Sequence, residues 1–197
     1  MVRIFDAAKA EAKRVAQMGG IRMVEDSLEV ATGEGAGTIG LELLQWPELL
    51  ETVFIPLGNG GLLTGVGRWL KAHSPATQVV GVAAAGAPAM VESWQTGRIV
   101  EHRTVRTIAD GIAVRVPIPE EVADMRGTVD DAILVSDEAM LKGMRLLHQH
   151  LGLVVEPSAA VGVAALLEHP VRFKGQLVAT VLCGGNLTPQ QAREWLF

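Results

Sequence analysis

The chain has no tyrosine, four phenylalanines and four tryptophans in 197 residues, so it offers no aromatic platform on which bases could stack. Positive charge is also in short supply. Seventeen Lys and Arg against 22 Asp and Glu give a net charge of −5, and no segment is strongly basic, which argues against nucleic acid as a partner. A single cysteine, Cys183, rules out an intrachain disulfide and makes a reducing cytoplasm the default expectation. Met1-Val-Arg-Ile-Phe-Asp6 lacks the apolar run of a signal peptide. The longest apolar stretch, 151–167, is interrupted by Glu156-Pro157 and is too short to span a bilayer, so no membrane partner is expected. What the chain has in excess is apolar surface. A mean hydropathy of +0.29 is high for a small soluble protein and points to surface covered by a partner or by further sequence.

The hydrophobic pattern predicts alternating strands and helices. Asp6 to Met18 reads as an amphipathic helix capped by Asp6 and ended by Gly19-Gly20. A short strand is expected over Ile21–Val24, a Gly- and Glu-rich loop over 26–37, and a helix over Thr38–Gln45 that stops before Pro47. Apolar residues 53–57 and 79–85 read as buried strands, each followed by a helix; 97–131 is mixed and loop-rich. A strand at 132–135 leads to a helix capped by Ser136 and reaching about His150. An apolar helix over Pro157–Glu168, a strand over Leu177–Leu182 and a last helix with Thr188 as cap and Pro189 at its first position complete the pattern. Nearly uninterrupted apolar strands in βα alternation predict an α/β fold, a mostly parallel sheet covered by helices on both faces. Ligands in such sheets bind at the carboxyl ends of strands, and two glycine-rich strand ends, after Leu57 and after Leu182, mark one pocket.

The first of these is the most informative stretch: Thr52-Val-Phe-Ile-Pro-Leu-Gly-Asn-Gly-Gly-Leu62 is a strand, a glycine loop and the start of a helix. Glycines let the backbone approach an anion closely, and the unpaired amides and positive dipole end of the helix point to the same place. The dinucleotide fingerprint fails, because its third glycine would fall at Leu63, which disfavours a nicotinamide-nucleotide dehydrogenase domain. No Gly-Lys-Ser/Thr triplet provides a Walker loop. From the loop alone, a glycine-rich turn without any ligand stays open.

Six segments taken together resemble the threonine/serine dehydratases, fold type II pyridoxal-phosphate (PLP) enzymes with serine racemase as a near relative. They are Gly37-Thr-Ile-Gly-Leu-Glu42, Pro56-Leu-Gly-Asn-Gly-Gly-Leu62, Thr107-Ile-Ala-Asp-Gly111, Val129-Asp-Asp131, Val155-Glu-Pro-Ser-Ala159 and Val181-Leu-Cys-Gly-Gly-Asn186, in the family's order and at about its spacing. The resemblance implies that Gly58-Asn59-Gly60-Gly61, with Leu62 opening the helix, binds the PLP phosphate through backbone amides. Asn59 stands where a glycine is usual, and Asn accepts a positive φ better than most residues. It implies that Cys183 faces the pyridine nitrogen as a near-neutral partner, a setting that suits elimination of a β-hydroxyl. A small buried residue ending a strand is the plain alternative. Glu156 would lie near the cofactor ring; otherwise it is a first-turn helix carboxylate. Asp110-Gly111 would line the cleft; otherwise it is a simple turn. Some relatives hold a divalent cation through an acidic residue after the strand at 79–82, but here the stretch is Ala83-Ala84-Ala85-Gly86-Ala87, so no metal is expected. The five histidines, at 73, 102, 148, 150 and 169, match no motif and read as surface or satisfied structural residues.

The family's reaction needs a lysine that carries the cofactor and moves the α-proton, in a Ser-x-Lys-x-Arg-Gly-type segment. Lys9, Lys13, Lys71, Lys142 and Lys174 all lack that context and read as solvated surface residues. The resemblance therefore implies a C-terminal portion: 1–27 as a remnant of the small domain and 28–197 as the large, cofactor-binding domain, with the N-terminal part of the family fold missing. No catalytic residue is expected in this chain. The reaction implied for the whole enzyme converts L-threonine or L-serine to a 2-oxo acid and ammonia. A non-catalytic remnant that pairs with a missing N-terminal half, a serine racemase portion, and a homo-oligomer all remain open.

Overall fold

Thr52–Pro56 (β1) is buried at every position, and two parallel strands flank it. This is the arrangement that an unbroken apolar run requires. A computed structural model describes residues 2–25 and 28–197. The elements around β1 are helices Val2–Gln17 (α1), Val30–Leu43 (α2), Gly61–His73 (α3), Ala89–Thr96 (α4), Pro119–Asp124 (α5), Asp137–Leu151 (α6), Val161–Glu168 (α7) and Pro189–Leu196 (α8). The remaining strands are Gln78–Ala84 (β2), Asp131–Val135 (β3) and Val178–Thr180 (β4). The four strands form one parallel sheet in the order β3-β2-β1-β4.

The sheet is covered on both faces, as expected. On one face Val53, Ile55 and Val79 pack with Leu63, Val66 and Leu70 of α3 and Met90 of α4. On the other, Phe54, Val80 and Val82 pack with Met140 of α6 and with Val161 and Ala164 of α7. Phe173 meets Phe54 edge-on at 4.7 Å between ring centroids. The predicted caps form: the Ser136 hydroxyl accepts from Ala139 N at 3.1 Å, and Thr188 and Gln191 make a reciprocal capping box.

Four local expectations are corrected. Helix α1 begins at Val2, so Asp6 lies inside it and does not cap it. Residues 21–24 form no strand; Ile21 and Val24 are exposed, with no ladder to join. The loop expected over 26–37 is helical from Val30 onward, while 26 and 27 lie outside the described residues. Gly37 and Gly40 of α2 lie against Gly65 and Trp69 of α3. A Cβ on Gly65 of α3 would lie 2.5 Å from Gly33 O, and one on Gly40 would lie 3.1 Å from the Trp69 ring. Glycine here buys close approach of α2 and α3 where the sequence pattern reads a loop. Finally, Pro157–Ala160 is a 3-10 turn that only then becomes α7.

The lysines are less uniformly solvated than expected. Lys71 is largely buried, donates to Thr77 O at 2.9 Å and pairs with Asp130 at the amino-terminal end of β2. Lys9 and Lys13 both pair with Glu25, tying α1 to the segment after it, and Lys142 pairs with Glu138. Among the histidines, His102 contacts Glu92 at 2.7 Å and His73 stacks on Trp69, but buried His148 Nδ1 and His169 Nε2 lack partners, contrary to expectation.

Candidate functional site

Strands β1 and β4 are parallel neighbours, with Thr52 opposite Val178 and Phe54 opposite Thr180. The loops that leave their carboxyl ends, 57–60 and 181–187, therefore emerge side by side.

The first loop turns at Gly60, whose φ of +114° is open to glycine and strained for other residues. A Cβ there would also lie 2.7 Å from Glu121 Oε2, which packs behind the loop. Helix α3 starts at Gly61, one residue before the expected Leu62, and its hydrogen-bond ladder starts with Thr64 N donating to Gly60 O at 2.8 Å. The amides of Gly61, Leu62 and Leu63 precede that first bond and have no intrahelical acceptor. They gather at the loop mouth with the positive end of the helix dipole. Asn59 is half-buried and does not take a positive φ; among the described residues every positive-φ position is a glycine. The bend that the sequence reading allowed to Asn59 is made by Gly60.

Three other glycines bring separate backbone segments together. A Cβ on Gly58 would lie 3.3 Å from Gly111 O. One on Gly111 would lie 2.9 Å from Ser158 Oγ and 3.3 Å from Glu156 Oε1. One on Gly184 would lie 2.7 Å from the Glu156 carboxyl carbon. Gly58, Gly111, Glu156 and the 183–186 segment thus converge at the carboxyl end of the sheet. Glu156 is half-buried and strapped to that segment in both directions: its amide donates to Gly184 O at 3.1 Å, and its Oε2 accepts from Asn186 N at 3.2 Å. It makes no side-chain cap to the 3-10 turn that follows it. The Asp110–Ile112 turn is held in place because Asp137 Oδ1 accepts from Thr107 Oγ1 at 2.6 Å and Oδ2 from Ile108 N at 3.1 Å. Asp110 itself is exposed.

Cys183 is exposed and not the buried strand end of the plain alternative. Its thiol pKa is raised, first by partial desolvation and then by the negative charge of Glu156. A raised pKa keeps the thiol neutral, able to donate and accept a weak hydrogen bond. The recorded lysine contacts involve Glu25, Asp130, Thr77 and Glu138, and none falls on this cluster.

Three residues of the cluster went unread in the sequence. Ser158 is 1% exposed and its hydroxyl has no partner, although it lies within the Val155-Glu-Pro-Ser-Ala159 segment. Gly184 makes room for the Glu156 carboxylate. Glu121 lies on α5, inside the stretch read as mixed loop, and no local pattern flags it.

The pyridoxal-phosphate dependent enzyme family matches residues 1–184, and the chain belongs to it. The chain is 35% identical over 184 residues to an L-threonine ammonia-lyase of Thermotoga maritima, covering 93% of this chain and 46% of that protein. It is 33% identical over 186 residues to a catabolic L-threonine dehydratase of Staphylococcus aureus, covering 93% of this chain and 54% of that protein. Among solved structures, the processed form of threonine deaminase isoform 2 from Solanum lycopersicum superposes with a TM-score of 0.90 at 26% identity, over 96% of this chain and 56% of that one. Maize serine racemase superposes with a TM-score of 0.85 at 28% identity, over 94% and 58%. The fold is that of the fold type II PLP enzymes, and the chain spans about half the length of the curated relatives it matches. The family's cofactor is pyridoxal phosphate, and the chemistry of the donor set fits its anionic end: a left-handed glycine, free helix amides and a dipole terminus at one mouth.

Proposed function

We propose that this chain is the cofactor-holding portion of a PLP-dependent ammonia-lyase that acts on L-threonine or L-serine. The observation that carries the reading is Gly60, left-handed at the head of α3, presenting the amides of 61–63 beside the Cys183–Asn186 segment. In this reading the amides of Gly58, Asn59, Gly60, Gly61 and Leu62 hold the phosphate. Cys183 offers a neutral hydrogen-bond partner to the ring nitrogen. Glu156 sets the position of the 183–186 segment and the local charge, and Gly111 lines the cleft. When bound, the cofactor supplies the electron sink for loss of the α-proton and the β-hydroxyl. This chain's residues bind and orient; no lysine here is placed to move the proton, so the chain alone is inactive. Residues 1–27 then belong to a small domain and 28–197 to the large one, the setting is cytoplasmic, and the working enzyme includes the part that relatives carry beyond this chain or a further copy. A racemase portion is the close variant, favoured by the superposition on maize serine racemase. A remnant with no catalytic partner would hold PLP equally well.

Titration with PLP, read by tryptophan fluorescence and by release of 2-oxobutyrate or pyruvate, tests this reading. Saturable binding without 2-oxo acid release from L-threonine or L-serine is expected. Release above that of free PLP contradicts the inactivity, and absence of binding contradicts the cradle.

A further inference from the structure

The turn at 110–112 stands between the two ends of the site. A Cβ on Gly58, in the glycine loop, would lie 3.3 Å from Gly111 O and 3.6 Å from Ile112 Cα. On the other side, a Cβ on Gly111 would lie 2.9 Å from Ser158 Oγ and 3.3 Å from Glu156 Oε1. Gly111 is thus a wedge, with the glycine loop against one side and Glu156, which is bonded to Gly184 and Asn186, against the other. The tip of the wedge meets both sides by packing alone. Among the described residues no hydrogen bond joins 110–112 to either flank, and the buried Ser158 hydroxyl has no partner. The polar anchorage is at the root. Asp137, in the first turn of α6, accepts from Thr107 Oγ1 at 2.6 Å and from Ile108 N at 3.1 Å. Thr107 Oγ1 accepts from Ala109 N at 3.1 Å, and Ile112 N donates to Ala109 O at 3.2 Å, so the bonds run on from the root to the tip. Ala109 and Ile112 are buried in one core with Val82 and Val135, which makes the segment stiff.

We infer that Asp137 is a positioning residue for the cofactor: through Thr107 and Ile108 it fixes the Gly111 wedge, and the wedge sets the spacing between the glycine loop and the Cys183–Asn186 segment. The inference rests on the reading that this chain holds PLP at both ends, by its phosphate and by its ring nitrogen, and it deepens that reading by naming what sets the spacing. Asp137 acts at a remove, since its side-chain bonds go to Thr107 and Ile108 and not to the glycine loop or Cys183. A ligand tied at two points gains from the second tie only when the separation of the two seats matches its own length. A preorganised spacing supplies that match, and a loosened one forfeits it. A ligand held at one seat is indifferent to the spacing. Asp137 therefore governs the affinity for PLP and leaves that for inorganic phosphate, which occupies the glycine loop alone, unaltered.

The test compares the binding of PLP and of inorganic phosphate to variants of this chain, and reads amide exchange without ligand. Asp137→Ala removes both anchoring bonds and is expected to weaken PLP at least tenfold while phosphate affinity stays within twofold. Thr107→Val, which removes one bond at nearly constant volume, is expected to weaken PLP at least threefold and carries the same test if Asp137→Ala fails to fold. Asp137→Asn restores the anchorage, because its amide oxygen accepts from Ile108 N and its NH2 donates to Thr107 Oγ1; PLP affinity within threefold of the unmodified chain is expected. Glu138→Ala removes an exposed carboxylate from the same helical turn and leaves PLP binding unchanged. Exchange at Ile108 and Ile112 is expected to quicken at least tenfold in Asp137→Ala, with none at Val53 in the sheet. PLP affinity within twofold in Asp137→Ala, equal losses for PLP and phosphate, or no recovery in Asp137→Asn overturns the inference. Absence of PLP binding to the unmodified chain contradicts the cofactor reading and the inference with it. Unchanged exchange at Ile112, with PLP binding to the unmodified chain intact, contradicts the inference alone.

Discussion

Strand β3 and strand β4 close the same sheet, yet side chains meet the main chain at one edge, at Ala132, and none is seen to do so at the other among the described residues. At β3, Asp131 is pinned by Arg172, the outward groups of Ala132 are met by side chains, and Glu168 accepts from Ser136 just past the strand. At β4, half-buried Val178 and Thr180 turn main-chain groups outward beside an apolar groove, and no described residue meets them. Edges exposed to water are commonly blunted by charge and polar side chains, as β3 is. Exposed apolar residues lie beside the β4 edge, at Leu41, Trp46 and Leu49, and others lie away from it, at Ile21, Leu151 and Val171.

The contrast can be broken from beneath. Gly162 of α7 lies under β4, where a Cβ would fall on the Thr180 hydroxyl and 3.0 Å from Phe54 Cβ. Gly162→Ala is expected to cost about 3 kcal/mol in urea denaturation through overpacking, and to speed amide exchange in β4 more than in β3. At the pocket, Gly60→Ala imposes a left-handed alanine against Glu121. A loss of about 1–2 kcal/mol in stability is expected, with PLP affinity reduced at least tenfold in the same fluorescence titration. Removing the side chain that meets Ala132 O has a smaller effect. Gln95→Ala should cost about 0.5–1 kcal/mol, the worth of one modest hydrogen bond, measured by thermal or chemical unfolding. Trp46→Glu, beside the β4 edge, should change the stability of the isolated chain by less than about 0.5 kcal/mol, because the indole is exposed. At Cys183, Glu156→Gln removes the negative charge that favours the neutral thiol. The pH midpoint of iodoacetamide alkylation should then move down, from a wild-type value above that of an ordinary thiol.

The sheet was legible in the sequence because β1 and β2 are buried on both faces and leave continuous apolar runs. The caps at Ser136 and Thr188 were legible because their chemistry is local. Helix α2 was half-hidden, since Gly37 and Gly40 serve contact with α3, a tertiary need that reads locally as loop. The strand expected at 21–24 has apolar residues but no neighbour to pair with, and pairing is not written in a short run. At the site, the glycine loop and Glu156 were visible as a turn and a costly carboxylate. Ser158 and Gly184 matter only through what four distant segments bring against them, and Glu121 reaches the loop from a helix that the pattern did not resolve.

The central claim is that the mouth of α3 recognises a phosphate, and calorimetric titration with PLP and with pyridoxal, which lacks that group, tests it most directly. The account predicts saturable binding of PLP to the chain and binding of pyridoxal at least tenfold weaker. Equal affinity for the two, or heat from neither, would contradict it.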